Sequence, residues 1–191
     1  MKGMLSNCKG LEQIDLSKFD ISQLENMDYM FQNTGFSSID FNNNFNISNV
    51  KSMEYMFSKC HNLVSINLNN NQGTKIQSMA HMFKNCEKLE NIDISNFEAS
   101  HVINMGYMFS GCVNLRSITF NSTITQKVEN MEYMFYGCSS LTEFNIMEFV
   151  TKNVQYMNSM FSHSGLKSFD FSLYDFSNAK RRHLCFRDVI H

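Results

Sequence analysis

Residues 53–68 read Met53-Glu54-Tyr55-Met56-Phe57-Ser58-Lys59-Cys60-His61-Asn62-Leu63-Val64-Ser65-Ile66-Asn67-Leu68, and this stretch decides the fold because it recurs. Its pattern, Met-x-x-Met-Phe-x-x-Cys-x-x-Leu-x-x-Ile-x-Leu, restarts at Met1, Met27, Met53, Met79, Met105, Met131 and Met157, each one 26 residues after the last. Of the 15 methionines only Met147 falls outside the two methionine slots. A constant period of about 20 to 50 residues marks a solenoid, in which each repeat buries its apolar face only against its neighbours.

Working outward from that stretch, Ser52 stands before the first methionine, and Asn26, Ser78, Asn104 and Asn130 hold the same slot. Oxygen-bearing side chains there suit the N-cap of a helix. Asp28, Glu54 and Glu132 follow, where negative charge favours a helix dipole. Met53, Met56, Phe57 and Cys60 then fall at i, i+3, i+4 and i+7, one face of a helix. Asn33, Asn85, Gly111 and Gly137 tolerate a left-handed conformation and limit the predicted helix to about two turns.

Ile66 and Leu68 alternate as in a strand with one buried face, and so do Ile14/Leu16, Ile92/Ile94, Ile118/Phe120 and Phe144/Ile146. After an Asn/Ser-rich turn, Val50, Ile76, Val102, Val128 or Val154 pins the return path, and Phe19, Phe45, Phe97 and Phe149 fill a further core slot. Strands pair at ~4.8 Å whereas helices need ~8–10 Å, so such coils must curve. The expectation is an α/β array with a parallel sheet on the concave face and short helices on the convex one.

Two repeats lack one residue between helix and strand, at Thr34-Gly35-Phe36 and Ser164-Gly165-Leu166, where glycine permits a tighter turn. The array is predicted to span residues 1–178. Lys180 stands where the return valine is expected, so 179–191 reads as a basic terminal segment containing Lys180, Arg181, Arg182, His183 and Arg187.

The 191 residues carry a net charge of −2, which provides no basic footprint for nucleic acid. Charged residues make up 18%, and proline is absent, as suits coils that donate backbone hydrogen bonds to one another. No apolar run approaches the ~18 residues of a membrane helix, and no secretory signal is visible at Met1-Lys2-Gly3-Met4-Leu5. The array opens in repeat phase without a polar cap, the expectation for an excised piece of a longer protein; a cytosolic protein is the other reading.

The phrases MEYMFSKCHNLVSINL, MAHMFKNCEKLENIDISNF and MEYMFYGCSSLTEFNI resemble the BspA-like leucine-rich-repeat surface proteins, in particular their mycoplasma-lipoprotein type of repeat. The resemblance covers residues 1 to about 178. It implies a right-handed leucine-rich-repeat-like solenoid of seven 26-residue repeats, displayed on cell surfaces or secreted and acting in adhesion and protein binding. It transfers no catalytic residue.

Cys8, Cys60, Cys86, Cys112 and Cys138 share one slot that Thr34 and Ser164 also occupy. Such replacement fits small buried thiols, and neighbouring helices would stand too far apart for disulfides. Cys185 lies outside the ladder and is the candidate reactive thiol. His61, His81 and His101 read as scattered surface residues with neither catalytic nor metal-binding spacing. Tyr29, Tyr55, Tyr107 and Tyr133 form an aromatic ladder that either packs structurally or anchors a partner, with His81 in the same slot.

The solvent side of the sheet is the leading binding candidate. Asp15, Asp40, Asn67, Asp93, Thr119, Asn145 and Asp170 lie between the buried strand positions, flanked by Glu12, Glu90, Arg116, Glu143 and Lys167. Solvating the sheet is the plainer role for them. One carboxylate per strand falls short of the about six to eight oxygens calcium needs. Neither cofactor, metal nor catalytic site is expected. The leading expectation is a non-enzymatic module whose concave sheet holds a protein or glycoprotein; the rival is an intracellular structural subunit of a larger assembly.

Overall fold

In the computed structural model the 26-residue period becomes a stack of coils. The structure describes residues 2–16, 19–41, 46–69, 71–120, 122–143, 149–168 and 175–180. On one side four successive coils pass through a short strand: β1 Ser38–Asp40, β2 Ser65–Asn67, β3 Asn91–Ile94 and β4 Ser117–Phe120. β1 pairs in parallel with β2, and β3 with β4, in the register Ile39↔Ile66 and Ile92↔Ile118. The predicted alternation holds: Ile66, Leu68, Ile92, Ile94 and Phe120 face the core while Ser65, Asn67, Asn91 and Asp93 face solvent. Phe45, Phe144, Ile146 and Met147 lie outside the described residues.

The opposite side corrects the sequence reading. Where two-turn helices were expected, each coil makes successive β-turns, and α1 Ser122–Thr125, after β4, is the helix found among the described residues. Amides there point alternately outward and back. Met27, Tyr29, Phe31 and Asn33 donate to the carbonyls of Ser52, Glu54, Met56 and Ser58 in the next coil at 2.9–3.0 Å. Met30 and Gln32 instead donate within their own coil, to Met27 and Tyr29. A helix would keep every one of these bonds inside its own coil.

Positive φ recurs twice per coil, for example at Tyr55 (57°) and Lys59 (63°), as the third residue of a type II turn requires. The proposed C-cap residues Asn33, Asn85, Gly111 and Gly137 hold such positions, so the residue type was read correctly and the element was not. The proposed N-caps likewise keep their chemistry. Asn26, Asn104 and Asn130 accept the N–H of the residue two ahead at 2.9 Å, forming Asx-turns, and the slot pairs from coil to coil as a one-residue parallel seam. The turn flank is bonded from coil to coil at strand spacing, so the wide helix spacing that was expected to force curvature does not arise; on the strand flank β1 pairs with β2 and β3 with β4.

The burial forecast stands for the inner slots, while Ile14, Phe19 and Ile118 are half-buried against the core. Met53, Met56, Phe57 and Cys60 are fully buried, and Phe31, Phe57, Phe83, Phe109, Phe135 and Phe161 stack face to face at 5.3–5.7 Å between centroids. Val50, Ile76, Val102, Val128 and Val154 are buried as well. The first coil departs, with Met4 44% exposed and Cys8 exposed where their counterparts in inner coils are closed off.

Cys60, Cys86, Cys112 and Cys138 are free thiols, each donating to the carbonyl of a phenylalanine one coil earlier at 3.1–3.2 Å. Burial pushes Cys112 up to about 12 and Cys86 and Cys138 well above the ordinary thiol range. Helix separation therefore does not keep them reduced, since the coils approach at strand spacing; the S–H groups are buried and engaged as donors.

At Gly35 an added Cβ would strike the Lys9 carbonyl oxygen, and at Gly165 that of Ser139. Both shortened turns thus press against the preceding coil, as their missing residue demands. The second shortening shifts the register that follows. Ala179 donates to Phe176 as Val154 does to Thr151, and Lys180 donates to Gln155 as Gln155 does to Glu129. Ala179, rather than Lys180, therefore occupies the valine slot. Arg181, Arg182, His183, Cys185 and Arg187 lie outside the described residues.

Candidate functional site

The strip forecast on the sheet is set by strand alternation, which turns every second side chain outward. Asp15, Asp40, Asn67, Asp93 and Thr119 are all exposed; Asn145 and Asp170 lie outside the described residues. Asp15, Asp40 and Asn67, from three successive coils, share one shallow groove with Gln13, Ser38 and Ser65. Asp93 and Thr119 continue the row on β3 and β4 beyond that groove, directly opposite one another. Two strip residues also hold the turn after their strand: Asn67 accepts the N–H of Asn69 at 3.0 Å, and Asp93 that of Ser95 at 2.9 Å.

The aromatic ladder is a second continuous surface. Tyr29, Tyr55, His81, Tyr107 and Tyr133 stack in that order at 4.8, 4.1, 4.7 and 4.6 Å, with ring planes within 14° of parallel. Each of these residues has positive φ, a cost of about 1–3 kcal/mol for a side-chain-bearing residue, offset by the inter-coil hydrogen bond and the ring contact. Half-buried, the rings spend their faces on one another. Lys2 Nζ lies 5.4 Å from the Tyr29 centroid and Lys84 Nζ 5.0 Å from that of Tyr107. Burial raises Tyr55 and Tyr107 above the ordinary phenol range.

His81 corrects its reading as a scattered surface residue. Its ring is sandwiched between Tyr55 and Tyr107, and its buried Nδ1 has no hydrogen-bond partner among the described residues. Burial, with a smaller contribution from Lys84, lowers it to about 4. Its shared slot with the tyrosines was the signal to weigh. His61 and His101 are exposed, His61 Nδ1 standing 3.2 Å from the Glu87 carboxylate. Among the described residues no cluster of three or more His, Cys, Asp or Glu could hold a metal ion, and no helix is long and apolar enough to cross a membrane.

Comparison with known proteins agrees with this geometry. No curated protein matches the chain. Among solved structures it is similar to a leucine-rich repeat protein from Eubacterium ventriosum ATCC 27560, with 16% identity and a TM-score of 0.50 over 78% of this chain and 43% of that one. A leucine-rich repeat protein from Bacteroides ovatus ATCC 8483 gives 18% identity and a TM-score of 0.45 over 78% and 41%. The chain therefore spans less than half the length of either protein, and at 16% identity the likeness to the Eubacterium protein concerns the fold alone. The family model described as "Mycoplasma protein of unknown function, DUF285" matches residues 1–122 and again 77–190. With its recurring Met-x-x-Met-Phe turn and its short parallel strands, the chain belongs to this DUF285 family and has a leucine-rich-repeat-like fold.

Proposed function

We infer that the chain is a non-enzymatic protein-binding module, a right-handed array of seven 26-residue repeats displayed at a cell surface or secreted for adhesion or recognition. The observation that carries this reading is the groove in which side chains of three coils meet, since repeat proteins use surfaces of that kind for extended contacts. The right hand is supported by the strong preference of parallel-strand crossovers for it. Asp15, Asp40, Asn67, Asp93 and Thr119 are the proposed contacts, with Asn145 and Asp170 at the outlying slots. The rings of Tyr29, Tyr55, Tyr107 and Tyr133 offer their edges as a secondary surface.

The second reading is an intracellular structural subunit. The four buried free thiols favour it, because unpaired cysteines are at home in a reducing compartment. Affinity capture from source cells separates the two, using the chain and a variant with Asp40, Asp93 and Asp170 all changed to Lys. An extracellular or surface protein that the variant loses supports the binding strip. A stoichiometric intracellular partner kept by both overturns it.

A further inference from the structure

Among the described residues, β1 is backbone hydrogen-bonded on one side only. Toward β2 it uses the carbonyl of Ser37, which accepts from Val64 at 2.8 Å, and the amide of Phe41, which donates to Asn67 at 3.0 Å, on either side of the Ile39↔Ile66 pair. Alternate residues of a strand direct their backbone groups to opposite sides, so Ser38 and Asp40 face the first coil. Among the described residues no backbone hydrogen bond joins residues 13–16 to β1. On the turn side the same two coils are bonded throughout: Gly3, Leu5 and Asn7 donate to Asp28, Met30 and Gln32 at 2.8–3.1 Å. The coils meet at their turns and part at their strands, and the groove lies where they part.

The lining of that groove selects its occupant. Among the described residues it contains no Lys, Arg or His and no aromatic ring, while Asp15 and Asp40 bring two exposed carboxylates and Ser38, Ser65 and Asn67 bring neutral hydrogen-bonding groups. The apolar members of the lining, Leu16, Ile39 and Ile66, are buried and Ile14 half-buried, so they offer an apolar anchor little surface, and an acidic segment would meet repulsion. A strand edge with open N–H and C=O groups takes an extended peptide main chain, adding sequence-independent bonds to which side chains contribute selectivity.

We propose that the groove beside β1 receives an extended Lys- or Arg-bearing segment of a partner protein, its main chain on the edge of Ser38 and Asp40 and its cations beside Asp15 and Asp40. This rests on the protein-binding reading and names the chemistry of the partner.

The test is fluorescence anisotropy with three labelled probes against the whole chain: an alternating Lys-Thr peptide of about eight residues, long enough to cross the strand edge, its Glu-Thr counterpart, and a Lys-Thr peptide N-methylated at alternate amides. The expected result is salt-sensitive binding of the Lys-Thr probe, weakened about tenfold or more by Asp40→Lys and no more than about twofold by Asp93→Lys, which lies outside the groove. The Glu-Thr and N-methylated probes should bind at least about tenfold more weakly. If Asp40→Lys fails to fold, Asp40→Asn carries the same expectation with a smaller loss. Absence of Lys-Thr binding, equal binding of the N-methylated probe, or equal losses from Asp40→Lys and Asp93→Lys would overturn the proposal. A captured protein partner that tolerates Asp40→Lys but is lost with Asp93→Lys would overturn this inference while leaving the protein-binding module intact.

Discussion

Two ring stacks run side by side through five successive coils of this molecule, two residues apart in each. The column Phe31, Phe57, Phe83, Phe109, Phe135 and Phe161 is closed to water. The column Tyr29, Tyr55, His81, Tyr107 and Tyr133 is half open. Their geometry is nearly the same, with parallel rings 5.3–5.7 Å apart in the first and 4.1–4.8 Å in the second. Their environment is not. A fully enclosed column accepts one side-chain type because any smaller group leaves a void, whereas a column with wet edges admits a titratable ring at the price of pH sensitivity.

The largest test of this comparison sets matched truncations against each other. Phe83→Ala or Phe109→Ala should cost ~3–5 kcal/mol, since each removes a buried ring and leaves a cavity between two others. Tyr107→Ala should cost about 2 kcal/mol, because water refills part of the space. Urea denaturation of the three variants measures both, and equal losses would erase the distinction between the columns.

A smaller effect is expected from His81→Tyr. The folded state holds His81 near 4 against 6.5 for the free side chain, so the unfolded chain binds its proton first as pH falls. The stability tied to the neutral ring is fully present above about pH 6.5 and drains away as pH falls toward 4. Melting curves between those limits should show the wild type losing more stability than His81→Tyr. Parallel curves would show that the imidazole is not strained in the stack.

The smallest is Lys59→Gly. Lys59 is exposed with φ of 63°, in the slot that Gly111 and Gly137 hold in later coils. Relief of the left-handed conformation should raise stability by up to about 1 kcal/mol. A drop in melting temperature would mean that the lysine side chain contributes more than its backbone costs.

What was legible depended on which quantity the pattern encodes. The spacing i, i+3, i+4, i+7 announced that Met53, Met56, Phe57 and Cys60 are buried together, and they are. It could not announce a helix, because successive β-turns also bring those positions to one side. The distinguishing feature lies in the residues next to the stripe and was hidden from the sequence, because the positive φ at Tyr55 and Lys59 has no glycine to mark it. His81 was misjudged for a similar reason, its chemistry being weighed before its slot. Of the candidate strip, the outward direction of Asp15, Asp40, Asn67, Asp93 and Thr119 followed from alternation alone. That three of them share a groove did not, since the parting of the first coil from β1 is a relation between backbones.

By itself the sequence determined the period, the buried slots, the outward strip and the positions where two coils tighten. These are consequences of side-chain polarity repeating along one chain, and such information is local and additive. Only the tertiary structure decided how the turn side hydrogen-bonds, why no helix spacing forces the coils to splay, which residue occupies the last valine slot, and where the sheet opens an edge. Each of those depends on whether an amide finds its partner within its own coil or in the next. That competition is resolved only when neighbouring coils are in place.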